Sequence, residues 1–141
     1  MKITKVINIE DNIYKAVAID RALRNCGITD IDLASTGDTG IKKIETAIQD
    51  GQPYDLLITD MHYNIHGRDN ENAGEIVIEE LQQRGIIIPI VVCSSHPYNI
   101  PGTIECIFYN ERSRVLEGDV RRALEKLNDY VLARQKGENH G

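Results

Sequence analysis

Three short apolar runs end at acidic or hydroxyl side chains, and this pattern limits the folds open to the chain. Apolar residues at consecutive positions over strand length are typical of strands buried on both faces, as in a parallel sheet. The carboxyl ends of such strands meet at one edge of the sheet, where open α/β folds bind their ligands. We therefore expect the polar residues after the runs to lie close together. The runs and the residues that follow them are 5–9 with Glu10 and Asp11, 56–58 with Asp60, and 86–93 with Ser94 and Ser95.

Segments with helical spacing of apolar residues alternate with these runs. The first helix is predicted over residues 13–26, after a cap at Asp11 or Asn12. Two further helices are predicted after residues 37–39 and after residue 72, and a last one over residues 113–134. Short strands are predicted at residues 31–34 and 104–109. The inward face of the first helix is predicted to hold Ile13, Val17, Ala18, Ala22 and Cys26.

The alternation of strands and helices predicts an α/β fold with a parallel sheet between two helical layers. Five strands in this order most often form a doubly wound, flavodoxin-like sheet of order 2-1-3-4-5, with helices on both faces. The fourth helix is predicted to be short or missing, because Pro97, Pro101 and Gly102 interrupt the connection between the fourth and fifth strands. One domain is predicted over residues 1–134, followed by a disordered polar tail at residues 135–141.

Charge and cysteine content exclude several classes of protein. The 141 residues carry a net charge of −6, which gives no general attraction for nucleic acid or for an anionic membrane. No apolar run approaches the length of a transmembrane helix, and the first residues lack the apolar stretch of a signal peptide. Three cysteines without a CxxC spacing fit reduced thiols. We therefore expect a soluble, cytoplasmic protein whose partners are proteins or small ions.

The acidic side chains at the predicted sheet edge favour a divalent cation. Three carboxylates at close range raise one another's pKa values unless a cation joins them. Mg²⁺ suits such oxygen ligands and keeps coordination sites for water and phosphate oxygens. A carboxylate beside Mg²⁺ can act as a nucleophile toward a phosphoryl group, and the Ser94 hydroxyl can hydrogen-bond a phosphoryl oxygen. The pattern therefore predicts a phosphoacceptor site.

Nearly the whole chain resembles the receiver domain of bacterial two-component response regulators. The matching residues are Glu10 and Asp11 after the first strand, Asp60 after the third, and Ser94 and Ser95 after the fourth. The resemblance implies that Asp60 is the phosphoacceptor and that Ser94 is a switch hydroxyl that contacts the phosphoryl group. It also implies that Asp11 binds Mg²⁺ directly and Glu10 through water, with Asp60 and the backbone carbonyl of His62 as further ligands.

Three features depart from the receiver pattern. The family's lysine after the fifth strand falls near Tyr109 or Asn110, and no lysine stands there. Arg112 or Arg114 could replace it only if the loop bends back. The connection from the fourth to the fifth strand is short, and the polar loop predicted at residues 63–72 is longer than the family's usual loop after the phosphoacceptor.

We expect a stand-alone receiver protein in phosphorelay signal transduction, with Mg²⁺ as cofactor and a histidine kinase or phosphotransfer protein as partner. A homodimer is a further candidate. The alternative is a degenerate receiver that binds partners without phosphorylation, which the missing lysine favours. A Mg²⁺-dependent phosphatase is disfavoured because His62, and not a carboxylate, stands two residues after Asp60. As an enzyme, the chain would at most phosphorylate itself from a donor and dephosphorylate itself.

Simpler interpretations of the same residues stay open. Acidic residues at a helix start can serve only to stabilise its dipole, and Asp60 can be a strand-end cap. The two serines can simply begin a turn. His62, His66, Cys93 and His96 have spacings that zinc could use. A cysteine in an apolar strand, however, is usually a buried, inert thiol, and histidines in loops are usually solvated.

Overall fold

The computed structural model describes residues 3–110 and 115–139 and shows a five-stranded parallel sheet with helices on both faces. The strands are β1 (Lys5–Ile9), β2 (Asp30–Ala34), β3 (Leu56–Thr59), β4 (Tyr63–Ile65), β5 (Arg68–Asn70), β6 (Ile90–Ser94) and β7 (Glu105–Phe108). The helices are α1 (Ile13–Asn25), α2 (Gly37–Gln49), α3 (Ala73–Gln83) and α4 (Leu116–Asn139). The sheet order is β2-β1-β3-β6-β7, which confirms the predicted doubly wound, flavodoxin-like α/β fold.

The register of the sheet places the ends of three strands at one level. Ile9 of β1 pairs with Thr59 of β3, and Thr59 pairs in turn with Val92 of β6. Glu10 and Asp60 are the next residues along β1 and β3, and β6 continues two residues further. The polar ends of neighbouring strands therefore share one edge of the sheet, as the three apolar runs predict.

Each face of the sheet carries its own apolar core. Helices α2 and α3 cover the face that presents Ile9 and Leu57, whereas α1 and α4 cover the face that presents Val6 and Ile58. Neighbouring residues of a strand point to opposite faces. This explains why β3 is apolar at consecutive positions, since both of its faces are buried.

Helix α1 begins where the sequence predicts but buries a different face. The Asn12 side chain caps it by accepting hydrogen bonds from the backbone N–H groups of Tyr14 and Lys15. Ile13 and Val17, predicted to face inward, are exposed. The prediction was wrong for these two residues and right for Ala22, because a second set of positions, which also follows helical spacing and shares Ala22, packs on the sheet. The buried set is Lys15, Ala16, Ile19, Ala22 and Leu23.

Residues 63–72 contain a β-hairpin, formed by β4 and β5, in place of the predicted loop. Its turn is His66-Gly67, where both residues have positive φ angles, 56° and 79°. Two-residue hairpin turns of this kind need such angles. Tyr63 and Ile65 are buried in the core beside α2 and α3, which fixes the hairpin to the domain. Each strand has only three residues, too few for an alternating pattern to stand out in the sequence.

The connection from β6 to β7, residues 95–104, is fully described and consists of bends, turns and irregular chain without a helix. The chain does have a fourth helix, α4, but this helix follows β7. Helix α4 continues to Asn139, beyond the predicted end at residue 134. The predicted helix start at residue 113 and the last two residues of the predicted tail lie outside the described residues. None of the described helices is long and apolar enough to cross a membrane.

Candidate functional site

The carboxylates of Glu10, Asp11 and Asp60 meet at the ends of β1 and β3. One oxygen atom from each lies within 4.8 Å of the other two. Within the described part of the chain, no other group of three acidic, histidine or cysteine side chains is close enough to hold a metal ion. The group lines an open cleft of about 500 Å³, which we call the acidic cleft. The other residues that line it are Asn12, Lys15, Met61, His62, Ser94, Ser95, His96, Tyr98, Phe108, Tyr109 and Asn110.

Glu10 is the buried member of this group. It is 2% exposed, and its Oε2 accepts a hydrogen bond from the backbone N–H of Asn12 at 3.1 Å. Burial raises the pKa of this carboxyl because the charged form loses hydration, although Lys15 opposes the shift. Asp11 is exposed and Asp60 is half-buried. The acidic group therefore extends from the interior to the open side of the acidic cleft.

Lys15 brings a positive charge into this group, and sequence reasoning missed it. Its Nζ atom lies 2.8 Å from Oε1 of Glu10 and 3.2 Å from Oδ1 of Asp60. It also donates a hydrogen bond to the backbone carbonyl of Cys93 at 2.6 Å. Lys15 is 6% exposed, which is unusual for a lysine unless it is paired. The set Ala16, Ile19 and Leu23 was the available signal, since it would have placed Lys15 on the inner face of α1.

The contacts of Lys15 keep its ammonium charged. Burial alone would lower the pKa of this lysine, but the negative charges of Glu10 and Asp60 more than offset that effect, so the pKa is raised. One ammonium among three carboxylates leaves two negative charges when all four groups are ionised. This balance matches the charge of a divalent cation.

Ser94 lies in the acidic cleft at the end of β6, as predicted. It is buried, and its Oγ accepts a hydrogen bond from the backbone N–H of His96 at 3.3 Å. A serine that begins a turn makes the same kind of bond. Ser95 is exposed. The position of Ser94 therefore agrees with both a phosphoryl-contacting and a turn-forming role.

His62 and His66 pair with carboxylates, and neither belongs to a group of side chains that could hold a metal ion within the described residues. Nε2 of His62 lies 2.8 Å from Oδ2 of Asp69, and this hydrogen bond raises the pKa of His62. His66 pairs with Asp38 and Glu80. The predicted role of the His62 backbone carbonyl as a metal ligand stays a prediction.

The strand end where the receiver family has its lysine holds Tyr109 and Asn110, and both line the acidic cleft. The centroid of the Tyr109 ring lies 5.5 Å from Nζ of Lys15, within the range of a cation–π contact. Arg112 and Arg114, which the sequence offers as substitutes for the lysine, lie outside the described residues. Within the described residues, the cation next to Asp60 is Lys15 of α1.

The carboxylate oxygens of Glu10, Asp11 and Asp60 are suitable ligands for a hard divalent ion. Mg²⁺ binds oxygen at about 2.1 Å, so oxygens on opposite sides of one ion lie roughly 4 Å apart. Carboxylate oxygens already within 4.8 Å of one another reach that arrangement with small side-chain rotations. Oε1 of Glu10 is buried, and the ammonium of Lys15 at 2.8 Å is its partner within the described residues. Glu10, Asp11 and Asp60 are the residues that would hold the ion.

The fold of the chain is that of response regulator receiver domains. A receiver domain from Clostridium thermocellum is 18% identical, with a TM-score of 0.64 over 92% of this chain and 98% of that chain. A CheY-like receiver domain protein from Methanospirillum hungatei is 14% identical, with a TM-score of 0.62 over 92% and 99%. The chemotaxis response regulator CheY4 of Vibrio cholerae is 15% identical, with a TM-score of 0.65 over 86% and 99%.

No protein-family profile matches the sequence, and no curated protein matches it. The similarity to receiver domains is therefore one of structure. It identifies the class of fold, and the acidic group occupies the edge where the strands of that fold end.

Proposed function

We propose that the chain is a receiver protein in phosphorelay signal transduction that accepts a phosphoryl group on Asp60. The observation that carries the proposal is the meeting of Glu10, Asp11 and Asp60 in one cleft with Lys15 and Ser94. An aspartate that only caps a strand end, or acidic residues that only stabilise a helix dipole, would need none of these neighbours. A site that brings a carboxylate and a phosphate together needs cations, because both reactants are anionic. Lys15 supplies one, and Glu10 and Asp11 would hold Mg²⁺ as a second.

The proposed reaction is a phosphoryl transfer to the Asp60 carboxylate. One carboxylate oxygen attacks the phosphorus of an acyl phosphate or a phosphohistidine. The new O–P bond forms as the bond from phosphorus to the donor breaks, and the leaving carboxylate or imidazole keeps the bonding electrons. When bound, Mg²⁺ neutralises charge on the reacting oxygens. The half-buried position of Asp60 keeps it accessible to a donor.

A histidine kinase or a histidine phosphotransfer protein is the proposed phosphoryl donor, and a homodimer is a second proposed contact. The open acidic cleft supports a protein donor, because Asp11 and His96 on its rim are exposed. We propose further that the domain acts in the cytoplasm. Its acidic charge supports the proposal that nucleic acid is not a direct ligand.

The proposal is tested by intact-protein mass after incubation with acetyl phosphate and Mg²⁺. We expect a gain of one phosphoryl group in the wild type and none in Asp60→Asn or in the wild type with excess EDTA. Asp20→Asn is the matched control, because Asp20 pairs with Arg24 on the exposed side of α1. Absence of the gain in the wild type, while a known receiver domain is modified beside it, would refute the proposal.

A second candidate function is a receiver fold that binds partners without phosphorylation. The connection from β6 to β7 without a helix favours it, since the surface around the last strand then differs from that of a typical receiver. The added hairpin of β4 and β5 is a further altered surface. This candidate predicts partner binding that is the same for wild type and Asp60→Asn, with or without acetyl phosphate.

A further inference from the structure

We infer that Lys15 binds the phosphoryl group on Asp60, so that the cation of the site comes from helix α1 and not from the end of the last strand. The inference rests on the proposed function. It assigns to this chain a phosphoryl-binding residue that lies 45 positions before the acceptor and outside every part of the sequence that resembles the receiver site.

The position of Lys15 is fixed from both ends of its side chain. Its Cα belongs to the first turn of α1, which Asn12 caps through hydrogen bonds to the backbone N–H groups of Tyr14 and Lys15 itself. Its ammonium is held by Glu10, by Asp60 and by the carbonyl oxygen of Cys93. A charged group held in this way is pre-organised, so little conformational entropy is lost when it binds an anion.

The donors of Lys15 suit an exchange of partners on phosphorylation. An ammonium has three N–H donors, and Lys15 has three oxygen contacts, one of which is Oδ1 of Asp60 at 3.2 Å. When an Asp60 oxygen forms the O–P bond, negative charge moves to the phosphoryl oxygens. The donor that faces Asp60 can then turn to a phosphoryl oxygen while the contacts to Glu10 and Cys93 remain. The ammonium needs no further desolvation in this exchange, because Lys15 is already buried.

No other cation of the described residues forms an ion pair with Glu10, Asp11 or Asp60. Among the ion pairs of the described residues, Lys15 alone pairs with a carboxylate of the acidic group. Lys43 offers a useful comparison, because its Nζ also donates to a backbone carbonyl, that of Leu33 at 2.8 Å, but it does not line the acidic cleft. It is the matched control for loss of one lysine.

A purely structural role for Lys15 makes a different prediction. If Lys15 only neutralises Glu10 and Asp60, its removal should strengthen Mg²⁺ binding and leave phosphorylation intact, since the metal then meets more negative charge. If Lys15 binds the phosphoryl group, its removal should weaken binding of a phosphoryl analogue even though Mg²⁺ binds as well as before or better.

The experiment compares wild type, Lys15→Met and Lys43→Met for Mg²⁺ affinity, for affinity toward beryllofluoride in saturating Mg²⁺, and for the rate of phosphorylation by acetyl phosphate. We expect Lys15→Met to lose roughly a hundredfold or more in rate, the order of loss seen when one donor to a developing anion is removed, and to bind beryllofluoride correspondingly more weakly. Lys43→Met should match the wild type. Unchanged beryllofluoride affinity and rate in Lys15→Met would overturn the inference.

A measurement on the wild type covers the case in which Lys15→Met does not fold. The ¹⁵N resonance of the Lys15 Nζ is followed by NMR, first with Mg²⁺ and then with Mg²⁺ and beryllofluoride. A further shift on addition of beryllofluoride supports direct contact, and no further shift overturns it. If the wild type gains no phosphoryl group and binds no beryllofluoride, the proposed function itself fails and the inference fails with it. If the wild type is phosphorylated and Lys15→Met behaves in the same way, the inference is refuted and the proposed function stands.

Discussion

The backbone of Gly74 lies so close to Asp60 that a Cβ atom at Gly74 would be 2.4 Å from the carbonyl oxygen of Asp60. The same Cβ would be 2.9 Å from the sulfur of Met61. The N–H of Gly74 donates to the carbonyl oxygen of Met61 at 3.1 Å, so the first turn of α3 is attached to the loop after β3. A glycine at this position lets α3 pack directly against the backbone of the acceptor residue.

Replacing Gly74 with alanine is therefore expected to destabilise the fold. The added methyl group must push against backbone, which cannot move as a flexible side chain can, and we expect a loss of about 1–3 kcal/mol in the free energy of unfolding. The measurement is urea denaturation followed by circular dichroism. Because the displaced atoms belong to Asp60 and Met61, Mg²⁺ affinity should fall as well.

Gly118→Ala is the matched control, because Gly118 lies in the first turn of α4 and a Cβ there would meet no atom within 4 Å. We expect this variant to be as stable as the wild type or more stable, by up to about 1 kcal/mol, since alanine favours the helix. Equal stability of Gly74→Ala and Gly118→Ala would contradict the close contact.

A buried hydrogen bond between Tyr63 and Thr59 links the hairpin to β3, the strand that precedes Asp60. The Thr59 hydroxyl donates to the carbonyl oxygen of Asp60 at 2.7 Å, so at 2.8 Å from the Tyr63 hydroxyl it must act as acceptor. We expect Tyr63→Phe to cost about 0.5–1.5 kcal/mol, because Thr59 keeps its other bond. Thr59→Val should cost more, about 1–3 kcal/mol, because it leaves the buried Tyr63 hydroxyl without an acceptor.

The comparison is made by urea denaturation of the two variants together with Tyr14→Phe, whose ring is exposed. Tyr14→Phe should behave as the wild type. A Tyr63→Phe variant less stable than Thr59→Val would show that Thr59 donates this hydrogen bond and Tyr63 accepts it.

The three thiols should differ in reactivity. Cys93 is 1% exposed, and burial raises its pKa to about 12, so almost no thiolate is present near neutral pH. Cys26 and Cys106 are partly exposed. Under native conditions at about pH 8 a disulfide reagent should therefore modify two thiols within minutes and the third only as the protein unfolds. Rapid reaction of all three would contradict the buried position of Cys93.

Asp11 offers a test of metal binding that leaves the core untouched. Its side chain is exposed, so Asp11→Asn should have little effect on stability but should lower Mg²⁺ affinity by roughly tenfold or more, as expected for the loss of one anionic ligand. Calorimetric titration measures the affinity, with Asp20→Asn, on the neighbouring helix α1, as the control. Equal affinities in both variants would place the ion elsewhere.

The sheet and its polar edge could be predicted from sequence because both depend on short-range patterns. Strands buried on two faces are apolar at most positions, and Asp60, Glu10 and Ser94 follow or end such strands. Their meeting then follows from strand order, which the alternation with helices nearly determines.

Lys15 and the hairpin escaped prediction for a different physical reason. In α1 two sets of apolar residues follow helical spacing, and only packing against the sheet decides between the set with Val17 and the set with Ile19. The choice turns Lys15 inward. A lysine inside a domain is disfavoured unless it is paired, and the pairing with Asp60 is visible only in three dimensions. The hairpin depends on the turn at His66 and Gly67, where a histidine adopts a backbone conformation that favours glycine.

The most direct test of the central claim is the site of modification. After reaction with acetyl phosphate and Mg²⁺, borohydride reduces an aspartyl phosphate to homoserine, and peptide mass spectrometry then locates the changed residue. We predict homoserine at position 60 and unchanged aspartates at positions 11 and 55. Homoserine at another aspartate, or none in a sample in which a known receiver domain is converted, would contradict the role of Asp60 as phosphoacceptor.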